Sequence, residues 1–340
     1  MAFSKILIRA TNWLGDAVMS LPAIRAVRAG FPEAEIVVLA RPWVADLYEG
    51  ERSIDRVIRY EPKPGFRDFL AKWSTARALQ REKFDCAILL QNAFEAAAIV
   101  WLAGIPRRIG YDRDGRRALL TDPIRVPKPG EIPRHERFYY LEMLRRAGVI
   151  PKMPTSEDIR LDTLKADYAQ RNIVSPAVGV SPGAAYGSAK RWLPERFAEA
   201  AVDVARSLGG SVVIFGSAGE RELCGRVAIL VHQAGVSAHN LAGETTLKEF
   251  IGLVAACRVF LTNDSGAMHI ASACGVPTVA VFGATDDSTT GPTGPLARVV
   301  REPVECSPCL LRECPIDHRC MSRVTSGRVV EVALELVNRI

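Results

Sequence analysis

Short apolar runs alternate with helix-patterned segments along this chain, and the alternation happens twice over. Nothing else in the sequence restricts its fold as strongly. In the first half, strand-like runs at 6–10, 35–40, 56–60, 85–90 and 107–110 are separated by helical patterns near 16–29, 66–82 and 96–103. In the second half, runs at 177–181, 211–216, 258–262, 278–282 and 298–300 alternate with helical patterns near 194–207, 219–234, 247–256 and 265–274. A last helix is expected over about 326–339. Strands covered on both faces read as continuous apolar runs, and the helices between them supply the crossovers of a parallel sheet. The expected fold is therefore α/β, built from two Rossmann-like, doubly wound halves. Residues 113–133 are rich in Pro, Gly and Arg and read as a long loop before a helix near 137–147. Prolines and lost periodicity at 151–163 read as a linker, which sets the expected domains at 1–160 and 161–340.

A chain of 340 residues suits two such domains, each large enough for its own core. No apolar run reaches the length of a membrane span, and the chain enters a strand at once, which argues against a signal peptide. A cytoplasmic protein with mostly reduced cysteines is expected. The net charge of +6 suits an acidic partner such as a phosphorylated lipid or a membrane face. The basic residues are not interleaved with aromatics, so nucleic acid is not an expected partner.

The strand ends carry the polar groups. Thr262-Asn263-Asp264-Ser265-Gly266-Ala267-Met268-His269 closes one strand and opens a small-residue helix. Free backbone N–H groups at such a terminus attract anions, phosphate above all. Gly266 lets a ligand approach the backbone and Ser265 offers a hydroxyl. An ordinary helix cap is the alternative. Thr11-Asn12-Trp13-Leu14-Gly15-Asp16 ends the first strand in the same way. The carboxyl edge of a parallel sheet is where open α/β folds bind ligands. Ser181-Pro182-Gly183-Ala184-Ala185-Tyr186-Gly187-Ser188-Ala189-Lys190-Arg191-Trp192 places two cations at the end of a small-residue loop, with spacing unlike a P-loop. Phe215-Gly216-Ser217-Ala218-Gly219-Glu220 adds a carboxylate at a further strand end.

In this order and spacing, these stretches resemble the ADP-heptose:lipopolysaccharide heptosyltransferases of glycosyltransferase family 9. The resemblance covers nearly the whole chain. It includes Met19-Ser20-Leu21-Pro22, Gln91-Asn92-Ala93-Phe94, Ala103-Gly104-Ile105-Pro106-Arg107-Arg108 and Asn240-Leu241-Ala242-Gly243-Glu244-Thr245. It implies the GT-B arrangement, with a ligand cleft between the halves and the last helix leaning back on the first domain. It also implies an inverting enzyme that moves heptose from ADP-L-glycero-D-manno-heptose to the first heptose of the lipopolysaccharide inner core, carried on Kdo-lipid A. Such an enzyme would work at the cytoplasmic membrane surface, peripheral to the inner face of the inner membrane. A family member with a different core acceptor, such as heptosyltransferase I or III, is the near alternative. A nucleotide-sugar epimerase with two Rossmann-like halves, or a non-catalytic binding or redox module, is more distant.

The resemblance also assigns roles. Asp16 matches the aspartate regarded as general base. On its residues alone it reads as a helix-capping carboxylate, which the helix dipole would weaken as a base. Lys190 suits the leaving diphosphate as a mobile point charge, assisted by Arg191, with a solvated lysine as the alternative. Ser265 and Gly266 would bind the same phosphates through backbone N–H groups, and Asp264 would contact heptose hydroxyls. His269 is expected as a neutral hydrogen-bonding group there, or as packing. Glu220 resembles the carboxylate that contacts the adenosine ribose, or is a solvated helix-start residue. Trp13, Asn92 and Phe94 are the expected acceptor contacts. Glu95 stands where relatives often carry a basic residue. The basic stretch Arg107, Arg108, Arg113, Arg116 and Arg117 reads as a solvated loop or as a partner for an anionic glycolipid. With Lys190 and a helix terminus assigned to the diphosphate, no cofactor or catalytic metal is called for, and ADP-heptose enters as the donor substrate. Cys306, Cys309, Cys314 and Cys320, with His318 among them, are dense enough for a structural zinc or iron–sulfur site, though the spacing fits no standard finger. Reduced loop thiols are the alternative.

Overall fold

The structure is a computed structural model that describes residues 3–63, 65–154, 159–161, 163 and 165–340. The chain divides into two compact units, Met1–Glu157 and Asp158–Ile340. Part of the expected linker at 151–163 lies outside the described residues.

The first unit runs β1 (Lys5–Arg9), α1 (Leu14–Gly30), β2 (Glu35–Ala40), α2 (Pro42–Glu49), β3 (Arg56–Arg59), α3 (Phe66–Glu82), β4 (Cys86–Leu89), α4 (Phe94–Leu102), β5 (Arg107–Tyr111), β6 (Asp122–Ile124) and α5 (Arg137–Arg146). Its strands pair in parallel in the order β3-β2-β1-β4-β5-β6. The apolar runs read from the sequence are apolar because helices cover both faces. Leu7, Val37, Leu39, Ala87 and Leu89 lie in one buried cluster with Leu79, Ile99 and Val100 of α3 and α4.

The second unit runs β7 (Ala177–Ser181), α6 (Pro194–Leu208), β8 (Ser211–Ile214), α7 (Arg221–Gln233), β9 (Ala238–Asn240), α8 (Leu247–Ala255), β10 (Val259–Asn263), α9 (Gly266–Ala273), β11 (Thr278–Val281), α10 (Asp287–Thr290), β12 (Ala297–Val300), α11 (Arg319–Ser322) and α12 (Ser326–Val337). Its parallel order, β12-β11-β10-β7-β8-β9, is the winding of the first unit repeated. The helices are bounded by local chemistry. In α6, Pro194 supplies a helical φ at the first turn and Gly209 takes the left-handed position just past the end, at φ 64°. Thr325 caps α12 by accepting the Arg328 N–H at 3.3 Å.

The last helix, α12, buries one face. Val329, Val332, Ala333, Leu336 and Val337 form a single stripe of helical period, buried in the second unit's own core with Ala201, Ala205 and Val279. The apolar stripe of this helix is covered within its own unit.

In each sheet the winding reverses once. The first three strands step outward from β1, and β4 returns to its other side. In the second unit the same reversal falls between β7 and β10. Loops leaving the carboxyl ends of the two strands at such a point diverge to opposite faces and leave a crevice.

Candidate active site

At the reversal in the first unit, the loops after β1 and β4 bring up Trp13, Asp16, Asn92 and Phe94. Trp13 is the N-cap of α1, its carbonyl accepts the Ala17 N–H at 2.9 Å, and its ring is 55% exposed. Asp16 lies in the first turn of the helix, partly buried. It is not the cap, so the capping alternative is set aside. The charge on Asp16 reaches Glu136, the N-cap of α5, whose carboxyl is pushed up to about 7 by burial and then by Asp16, with Arg113 opposing. Sequence reading missed Glu136; nothing in the local pattern ties it to Asp16, because the link is the packing of α5 on α1.

Asn92 is held on both sides. Its amide donates to the Tyr139 hydroxyl at 3.0 Å, and its oxygen accepts from Arg116 Nη2 at 3.0 Å. Arg116 is fully buried and also donates to the carbonyls of Tyr111, at 2.9 Å, and Gln91. Burial pushes its pKa down to about 10. The solvated-stretch reading is therefore corrected for Arg116, which is an internal strut beneath the β4 end. Arg107 is likewise tied, to Asp122 at 2.9 Å, and Arg108 donates to Leu119 O at 2.7 Å. Phe94 opens α4 and is 53% exposed. Glu95 beside it accepts from Arg41 at 2.6 Å and Lys72 at 3.2 Å. Its charge is compensated within the protein.

At the reversal in the second unit, a 3-10 turn over Ser188–Lys190 carries the lysine to the end of β10. Lys190 Nζ lies 2.6 Å from Asp264 Oδ2, and Asp264 also accepts from the Thr285 hydroxyl. Both side chains are largely buried, at 12% and 5% exposure. Asn263 joins the two loops: its oxygen accepts the Trp192 N–H at 2.9 Å and its amide donates to Pro182 O at 2.8 Å. Ser265 is the N-cap of α9, with its hydroxyl 3.2 Å from that of Thr262. Gly266 opens the helix, and His269 is buried in its first turn. The structure thus brings Lys190, Asp264, Ser265, Gly266 and His269 to one strand end. Arg191 follows, donating to Ala184 O at 3.3 Å, and among the described residues its Nε is buried without a partner. Glu220 is a capping-box carboxylate: its Oε2 accepts from the Ser217 N–H and hydroxyl, each at 2.8 Å. Its Oε1 points at Gly183, where an added Cβ would lie only 2.0 Å away. The solvated-glutamate alternative is thereby corrected, because Glu220 closes against the β7 loop.

The eight cysteines are free thiols, with Cys306 exposed and Cys320 buried. Among the described residues, no group of three His, Cys, Asp or Glu side chains is assembled to hold a metal ion. The expectation of no metal also took the sequence to lack an Asp-x-Asp pair, and this is corrected: Asp112-Arg113-Asp114 follows β5 in the first unit, where Asp112 pairs with Arg117.

The family model for glycosyltransferase family 9 (heptosyltransferase) matches residues 72–319, more than half of the chain. This chain belongs to glycosyltransferase family 9. It is similar to lipopolysaccharide heptosyltransferase 2 of Escherichia coli K12, 32% identical over 306 residues, covering 87% of this chain and 88% of that protein. The lipooligosaccharide heptosyltransferase 2 of Campylobacter jejuni serotype O:2 is 28% identical over 98% of both chains. Among solved structures, E. coli ADP-heptose lipopolysaccharide heptosyltransferase II matches with a TM-score of 0.82 at 29% identity, over 98% of this chain and 99% of that one. The fold is GT-B and the family member is a glycosyltransferase, as the order of the strand-end motifs implied.

Proposed function

We propose that this family 9 enzyme is an inverting heptosyltransferase of lipopolysaccharide core assembly, with ADP-L-glycero-D-manno-heptose as donor and the first heptose on Kdo-lipid A as acceptor. The names of its relatives support the sugar and the stage of synthesis. The observation that carries the donor side is the Lys190–Asp264 pair at 2.6 Å, set beside the N-terminus of α9.

In this reading Asp16 accepts the proton of the acceptor hydroxyl as its oxygen attacks the anomeric carbon. The bond from that carbon to the diphosphate oxygen breaks, and ADP leaves with the electron pair. Attack from the face opposite ADP inverts the configuration. Lys190 meets the charge that builds on the leaving oxygen, and the Ser265 and Gly266 N–H groups hold the diphosphate. Asp264 turns toward heptose hydroxyls once the diphosphate shares its lysine. Arg191 and His269 support the phosphates, and Glu220 offers its Oε1 to the ribose. Trp13, Asn92 and Phe94 receive the acceptor sugar. No metal is assigned a step.

The lipid-linked acceptor calls for contact with a membrane surface. Among the described residues, no helix is long and apolar enough to cross a membrane. The outward side of α3 supports peripheral contact: Phe69, Leu70 and Trp73 are 60%, 50% and 43% exposed. Helical spacing sets Arg77 and Arg81 beyond them, and Arg77 lies 4.1 Å over the Trp73 ring. Exposed aromatics among arginines suit an anionic lipid interface.

One incubation tests the reading. Purified protein with ADP-heptose and heptose-bearing core acceptor should yield, by mass spectrometry, acceptor extended by one heptose and a matching amount of ADP. Turnover only on acceptor lacking heptose would make it a heptosyltransferase I. Isomerised nucleotide sugar without acceptor would make it an epimerase.

A further inference from the structure

The segment that carries the cysteine cluster packs against the loops that hold both members of the Lys190–Asp264 pair. On the lysine side, Arg312 O accepts the Ala189 N–H at 2.9 Å, and His318 Nε2 lies 3.0 Å from Ala189 O. Tyr186 donates its hydroxyl to Leu310 O at 2.7 Å. The Tyr186 ring lies within cation–π range of two cations, with Lys190 Nζ 4.7 Å and the Arg312 guanidinium 5.4 Å from its centroid. The approach is so close at Gly187 that an added Cβ would stand 2.2 Å from Arg312 O. On the aspartate side, the Leu310 N–H donates to Ala284 O at 2.8 Å and the Ser307 hydroxyl to Gly283 O at 2.6 Å. The next residue, Thr285, donates to Asp264.

We infer that residues 307–318 are a clamp that sets the position of the Lys190 ammonium for the leaving diphosphate, with Tyr186 and His318 as its positioning residues. The inference rests on the proposed role of Lys190 at the diphosphate. The physical ground is the mobility of lysine. A four-carbon stem gives the ammonium many positions, and only those that meet charge in the transition state accelerate the reaction. The Tyr186 ring restricts the stem from one side by a cation–π contact. The backbone bonds to Arg312 and His318 fix the turn from which the stem departs. The groups that make these contacts are Leu310, Arg312 and His318, which lie between the cysteines in the chain.

The test is a double-mutant cycle on the full chain. Tyr186→Phe removes one hydroxyl and keeps the ring. His318→Asn removes the ring nitrogen, and asparagine tolerates the left-handed backbone found there, at φ 54°. Each should lower kcat by about 5- to 20-fold while the donor KM and the affinity for ADP stay within about 2-fold. In a Lys190→Ala background, the same substitutions should cost less than about 2-fold, because the group they position is gone. A residue that merely stabilised the fold would cost the same factor in both backgrounds, and that outcome overturns the clamp. Unchanged kcat in both single variants overturns it as well. Full activity of Lys190→Ala alone has a different meaning: it removes Lys190 from the chemistry, and with it the ground for the proposed donor side.

Discussion

Lys190 and Asp264 are ion-paired at 2.6 Å, and neither side chain is more than 12% exposed. The pair sits beside the N-terminus of α9, where the Ser265 and Gly266 N–H groups open the helix. In the proposed donor site a phosphate would compete with a carboxylate already in place, which makes the expected ground-state gain small and the transition-state gain larger. Lys190→Ala should therefore lower kcat by roughly 10²–10³-fold, with donor affinity changed much less. Ser265→Ala should be milder, because the backbone N–H survives. Steady-state kinetics with titrated ADP-heptose separate the two effects. A raised KM at unchanged kcat would make the lysine a plain binding group.

Asp16 stands in the first turn of α1, away from the capping position, with Glu136 in its field. Asp16→Asn keeps the shape and removes the carboxylate proposed as base. Turnover should fall by roughly 10²–10⁴-fold while ADP-heptose binding, measured by calorimetry, is retained. Near-wild-type turnover would leave Asp16 as a structural residue of the helix start.

Glu136 provides a pH test. Its carboxyl is raised from 4.5 to about 7, so the folded state holds this proton more tightly than the unfolded chain. The associated stability is fully present below about pH 4.5 and is lost as the pH rises through about 7. Glu136→Gln imitates the protonated form. Between about pH 5 and about pH 8, the wild type should lose more unfolding free energy than the variant, by on the order of 2 kcal/mol. Urea titrations at the two pH values give that difference. Equal losses in the two proteins would show that Glu136 is solvated in the folded state.

The fold was largely legible because the strands of a covered parallel sheet are apolar throughout, as in the runs around Leu7 and Val213. The proximity of Lys190 and Asp264 was legible too, since Asp264 directly follows β10 and Lys190 lies at the end of the loop that leaves β7. Local pattern failed where long-range packing decides. Arg116 belongs by sequence to a basic loop, yet the Asn92 oxygen and the Tyr111 carbonyl draw it inside. The short strand β6 has a proline at its centre and pairs only with β5 among the described strands, so its sequence carries almost no strand signal. The helix α2 begins with a proline two residues after β2, which reads equally well as a turn. The apolar stripe of α12 was visible, but periodicity does not say which core will cover it.

The last prediction concerns membrane contact through α3. Leu70 and Trp73 lie on the exposed side of the helix, and burying them in an acyl boundary would remove apolar area from water. Arg77 and Arg81 would add attraction only where the lipid is anionic, at about 1 kcal/mol for each charge near the surface. The two contributions can be told apart. Trp73→Ser should weaken co-sedimentation with both phosphatidylcholine and phosphatidylglycerol vesicles, whereas Arg77→Gln with Arg81→Gln should weaken it on phosphatidylglycerol alone. None of these side chains is assigned to the chemistry, so turnover on a delipidated, water-soluble core acceptor should be unchanged. Turnover on the same core embedded in anionic vesicles should fall along with binding. Wild-type sedimentation by both variants would mean that α3 is not the face that meets the lipid.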